Sequence, residues 1–188
     1  MLKTSIVGRI ARAARDNRGV SAVEFALLAP VMIGLYFGCA EIADGVGTDR
    51  KVSLISAALA NLTAQVTTIS ATDMTNIFDA SSAIIAPYSA SKLKMTVTCI
   101  KIDNNKVATV KWSQTRGGTA RPIGTYTFDS SSAALAVANS YLILSEASYD
   151  YTPTVGYTIT GTLTLSDKMY MSPRISAPSY PDTAHPCT

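Results

Sequence analysis

Three hydrophobic patterns follow one another along the chain. From Ala26 to Ala40 no charged residue occurs, and apolar side chains run without a polar face. From Val52 onward the apolar positions Val52, Ile55, Leu59, Leu62 and Val66 recur at spacings of three and four, which predicts an amphipathic helix. From Leu93 the period becomes two. Leu93, Met95, Val97 and Cys99 alternate with Lys94, Thr96 and Thr98, the signature of a half-buried strand.

The intervening segments fill in an α+β plan. Ser70 or Thr72 is placed to cap a second helix whose apolar face holds Met74, Ile77, Phe78 and Ile84, and Pro87 ends it. Asp103 to Lys106 reads as a turn, and Val107 to Trp112 as the returning strand of a hairpin. Gln114 to Thr125 is polar and Gly-rich and reads as a loop. Ser130 to Ser140 suits a short helix. Tyr141 to Tyr151 and Tyr157 to Met171, the latter bent at Gly161, read as further strands. Residues 172–188 contain four prolines and no periodicity, so an extended tail is expected. The sum is a long N-terminal helix on a mainly antiparallel sheet of about four strands.

The uncharged run is short for a bilayer by itself. Extended to Val20 and Ala43 it rises roughly 36 Å at about 1.5 Å per residue, enough to span the ~30 Å hydrocarbon core. Charge then orients it. Lys3, Arg9, Arg12, Arg15 and Arg18 oppose only Asp16 in the first nineteen residues, while the rest of the chain is close to neutral. A basic flank ahead of an apolar helix predicts that the N-terminus stays in the cytoplasm. No aromatic residues interleave these charges, which argues against nucleic-acid binding. The expected organisation is a basic leader (1–19), a transmembrane helix (20–43), an exported α+β domain (44–171) and a Pro-rich tail (172–188). Asp44, Gly45, Gly47 and Thr48 are expected to loosen the helix at the membrane surface.

Glu24 is the residue this plan does not absorb. A carboxylate near a bilayer centre costs about 2.5 kcal/mol or more, and less near the interface, so such residues are usually functional. Cleavage after Gly19 would supply a partner: Val20 would carry a free α-amine one helical turn from Glu24. The stretch Arg18-Gly19-Val20-Ser21-Ala22-Val23-Glu24-Phe25, followed by Ala-Leu-Leu-Ala-Pro-Val, resembles the processing site of the TadE-like family of tight-adherence (Flp-type) pilus systems. Phe25 stands where the major Flp pilins usually have Tyr, and the chain is longer than they are.

The resemblance implies a minor pilin, or pseudopilin, of the bacterial inner membrane with a periplasmic domain. It implies cleavage at Gly19–Val20 by a prepilin peptidase and an assembly role for Glu24 and Phe25. The implied partners are that peptidase, other pilins and pseudopilins, platform proteins of the machine and the lipid bilayer. Pro30 is expected to bend the helix, and Gly34 and Gly38 to admit a close neighbour helix. The alternatives are an uncleaved inner-membrane scaffold of the same machine, or an anchored periplasmic binding lipoprotein acylated at Cys39. Against the lipoprotein, Tyr36 occupies the place where Leu is expected.

Catalytic chemistry is sparsely represented. The single histidine, His185, excludes a multi-histidine metal site and leaves no plausible Ser-His-Asp set. No Cys-x-x-Cys pair and no phosphate-binding Gly-Lys-Ser/Thr motif occurs. Asp129-Ser130-Ser131-Ser132-Ala133 approaches the Asp-x-Ser-x-Ser metal motif of larger TadG-like proteins, but Ala133 removes the last hydroxyl. No enzyme activity, cofactor or metal is expected. In an oxidising periplasm Cys99 and Cys187 are a candidate disulfide pair; spacing alone leaves bridge and free thiols both open.

Overall fold

The structure is a computed structural model that describes residues 19–153, 161–180 and 187. The basic leader up to Arg18, Tyr157, His185 and part of the tail lie outside the described residues.

One unbroken helix, α1 (Val20–Ala64), runs from the apolar segment into the domain. It continues through Pro30 and through the Asp44–Thr48 junction where loosening was expected. Two local features account for that continuity. Thr48 Oγ1 donates 2.9 Å back to the carbonyl of Asp44. Gly45 lies beneath the Tyr151 ring, whose Cε1 is 3.8 Å from where a β-carbon would sit, so tertiary contact holds this turn helical despite its glycines.

The helix α2 (Ala71–Ser82) begins with a capping box. Ser70 Oγ accepts from the Asp73 amide, and the Asp73 carboxylate accepts from the Ser70 amide. The Ser70 contacts also hold the Asp73 carboxyl below its ordinary pKa. Met74 and Phe78 are buried on its inner face.

The sheet has five antiparallel strands, one more than the alternation suggested. They are β1 (Leu93–Ile102), β2 (Ala108–Arg116), β3 (Gly124–Tyr126), β4 (Ser140–Tyr151) and β5 (Leu163–Met171), in the order β3-β2-β1-β4-β5. The additional strand β3 falls in the segment read as a loop. It is only three residues long and pairs with Ala108–Val110 alone, too short to show a period. The helix expected over 130–140 is reduced to one 3-10 turn at Ala133–Leu135. Described pairing of β5 starts at Leu163, after Gly161 with φ +95°.

A bulge decides which face of the sheet receives the single tryptophan. Cys99 pairs with Trp112 and Ile100 with Val110, leaving Lys111 as the extra residue. Without it, Val110 and Trp112 would share a face. With it, Trp112 joins the helix-side core of Ile55, Leu59, Val97 and Ile143. Ala108 joins a second cluster on the opposite face, with Ile100, Ile102, Leu142 and Leu144 under Tyr126, Phe128 and Tyr170.

The C-terminal segment packs more closely than a loose tail. Arg174 donates its amide to Ala64 at the helix end, and Ser179 exchanges backbone hydrogen bonds with Thr67 and Ile69. Trp112 Nε1 donates 2.9 Å to the carbonyl of Pro178, and Tyr180 stacks 5.8 Å from the Trp112 ring. Cys187 is disulfide-bonded to Cys99, with a Cα–Cα distance of 6.3 Å. Backbone pairing and one anchoring ring hold this segment, and neither produces a hydrophobic period.

Candidate functional site

The two parts of α1 meet different surroundings. Its buried residues are Glu41, Gly45, Thr48, Val52, Ile55, Ser56, Leu59, Ala60, Thr63 and Ala64, all in the second half. Those from Val52 onward lie over β4 and β5, and Ser145 on β4 donates its hydroxyl 2.5 Å to the helical carbonyl of Ser56. Ser56 Oγ in turn donates 3.2 Å to the Asp167 carboxylate on β5. From Val20 to Ala40 no helix residue is buried. Val23, Leu27, Leu28, Val31, Met32, Ile33, Leu35 and Tyr36 are each more than half exposed. This is a helix long and apolar enough to cross a membrane.

The proposed processing junction lies at the helix start. Gly19 is the N-cap, in right-handed helical geometry with no side-chain cap, and nothing lies within 4 Å of where its β-carbon would be. Val20 begins the helix, and Glu24 follows one turn later on an exposed face. Phe25 is 70% exposed. Among the described residues Glu24 makes no hydrogen bond or ion pair. Pro30, Gly34 and Gly38 follow at four-residue intervals and line one shallow apolar groove with Val31, Leu35, Cys39 and Ile42. The Cys39 thiol is free and exposed.

Residues 19–48 match the family model described as TadE-like protein. The N-terminal segment is TadE-like. The match covers Gly19, Val20, Glu24, the exposed apolar helix and its entry into the domain. No curated protein and no solved structure matches the chain.

Beyond the matched segment, the described polar groups bond one another across the sheet. On the sheet face away from α1, Arg121 grips Glu146 through two bonds of 2.7 and 2.6 Å. That contact raises the guanidinium pKa against the opposing effect of burial. Burial and the 2.7 Å bond to the Tyr170 hydroxyl push the Tyr126 phenol well above its ordinary range. Asp129 pairs with Lys168, and its carbonyl accepts from the Ser132 amide. The Asp129–Ala133 segment is therefore a turn leading into the 3-10 turn. Among the described residues no group of three His, Cys, Asp or Glu side chains converges as for a metal.

Glu41 is legible in the sequence as the charge at the far end of the apolar span, but its burial at the helix–domain junction is not. Glu41 is only 5% exposed at the first contact of α1 with the domain, next to Tyr151. Burial, together with the Asp44, Tyr88 and Glu41 side chains, raises the Tyr151 phenol above its ordinary value. The available signal was a carboxylate four residues before Gly45, the position where a ring crosses the helix.

Proposed function

We propose that this chain is a minor pilin, or pseudopilin, acting in assembly of a tight-adherence pilus. A prepilin peptidase matures it by cutting between Gly19 and Val20. It spans the inner membrane once, with the basic N-terminus in the cytoplasm and the α+β domain in the periplasm. The observation that carries this reading is Glu24: an exposed carboxylate on an apolar, exposed half-helix, one turn from the junction in a TadE-like segment.

The physical argument runs from cost to partner. A lone carboxylate in hydrocarbon is unfavourable by about 2.5 kcal/mol near the bilayer centre and less near its edge. Cutting after Gly19 places an ammonium group at the positive end of the helix dipole, where an anion is favoured. A subunit entering a helical assembly brings the same pair, so Glu24 of one copy and the terminal amine of its neighbour neutralise each other. Phe25 and the Pro30–Gly34–Gly38 groove supply the adjacent packing surface. The activity is non-covalent: helices pack in the membrane, and the domain meets other pilins and platform proteins outside it.

Complementation of a deletion strain tests this role. Glu24→Ala should reduce surface pili sharply while leaving the protein level unchanged, and Glu24→Asp should restore part of the loss. Wild-type piliation with Glu24→Ala would refute the assembly role.

A further inference from the structure

The domain meets α1 at a level that fixes which of its surfaces lies nearest the lipid. Val20 to Ala40 rises about 31 Å, close to the ~30 Å thickness of a hydrocarbon core. The next turns are two-sided. Ile42 and Val46 are about half exposed on the outer side, while Glu41, Gly45 and Thr48 are buried against the domain. Asp49 and Arg50 then provide consecutive exposed charges. The boundary between lipid and water therefore falls at the turns where the domain first touches the helix.

The parts of the domain at this level are the C-terminal end of β4 and the connection 86–92. Tyr151 lies over Gly45. Tyr88 packs 6.3 Å from both Tyr149 and Tyr151. Lys51 bonds the Ala86 carbonyl and lies 5.0 Å over the Tyr88 ring. Lys92 reaches the Thr152 hydroxyl at 3.3 Å, which holds its ammonium at the same edge, within electrostatic reach of Asp150. Asp150 at this end already pairs with Lys94 and Thr164. Ser89, Ala90 and Ser91 are exposed between the two cationic groups.

We propose that connection 86–92, with Tyr88, Lys51 and Lys92, is a bilayer-contact surface that seats the domain on phospholipid headgroups. Tyr is at home at this depth, with its ring in the apolar boundary and its hydroxyl in water. Lysine ammonium groups suit the phosphate layer. The contact restrains the domain relative to the membrane, so α1 and the 86–92 connection together set its orientation. This inference rests on α1 spanning a bilayer, as in the proposed function.

Site-specific fluorescence separates the two claims. In the full chain carrying Cys39→Ser, a single label is placed through Ser89→Cys or, in a second protein, Asn105→Cys. Asn105 lies in the turn at the other end of β1, about 30 Å away along the strand. Both proteins are reconstituted in phosphatidylethanolamine–phosphatidylglycerol vesicles containing a quencher at headgroup depth. The label at residue 89 should lose roughly half its emission, as expected for a group within ~5–10 Å of the boundary, and the label at 105 should lose little. Lys92→Glu should lower the quenching at 89, and Lys92→Arg should retain it. Equal, weak quenching at both positions in vesicle-bound protein would overturn the contact surface and leave the anchor intact. Failure of either protein to associate with vesicles would overturn the anchor and this inference with it.

Discussion

The first and second halves of α1 differ in what surrounds them, although the backbone between them is continuous. From Val20 to Ala40 apolar side chains face outward all round; from Glu41 to Ala64 a single stripe is buried and the other faces are more polar. The second half owes its place to the sheet beneath it. The first half has no such support within the described chain and is suited to hydrocarbon or to other helices. One helix is thus amphipathic where the domain covers it and uniformly apolar where the domain ends.

The sharpest way to break this comparison is to truncate one large side chain in each half. Leu59→Ala should destabilise the domain by about 2–5 kcal/mol, because Leu59 is fully buried and its loss leaves a cavity. Leu35→Ala, with 65% of the residue exposed, should change domain stability by no more than about 0.5 kcal/mol. Denaturant unfolding of the detergent-solubilised full chain, followed by Trp112 fluorescence, measures both. Similar losses at the two sites would contradict the division.

Removing the Cys99–Cys187 bridge tests whether the C-terminal segment belongs to the supported half. The two residues are 88 apart in sequence, and Cys187→Ser should cost roughly 2–4 kcal/mol. It should also red-shift Trp112 emission as Pro178 and Tyr180 loosen. A smaller loss, about 1–2 kcal/mol, is expected for Ser145→Ala, which leaves the Ser56 carbonyl without the buried hydroxyl donor described above.

The smallest expected effect is electrostatic. Bonds from Lys94 and Thr164 hold the Asp150 carboxyl below its ordinary pKa. Its stabilising contribution is therefore complete above the unfolded carboxylate pKa near ~4 and is lost as pH falls through the lower folded-state value. Asp150→Asn should remove this small contribution at neutral pH and flatten the acid limb of an unfolding titration below about pH 4, where variant and wild type converge. An acid limb identical to wild type would remove Asp150 from the account.

Periodicity made the main elements legible. Val52, Ile55 and Leu59 marked the helix face, and Leu93 to Cys99 marked the central strand. The turn at Asp103–Lys106 was readable from its residue types; the Asp103 carboxylate accepts 2.8 Å from the Val107 amide. Three features left no period to read. Strand β3 is too short, the bulge at Lys111 alters the alternation itself, and residues 174–180 are held by backbone bonds and the Trp112–Tyr180 contact. At the candidate site, Glu24 stood out because a charge interrupts an apolar segment. The burial of Glu41 did not, since it depends on Tyr151, about a hundred residues away in sequence.

The mature N-terminus tests the central claim most directly. Intact-mass measurement of the protein recovered from host membranes should give a chain beginning at Val20, shorter than the full sequence by nineteen residues. The same protein from a strain lacking the prepilin peptidase should keep them. A chain that still carries Arg18 and Gly19 in the peptidase-positive strain would contradict the account and leave α1 as a permanent anchor.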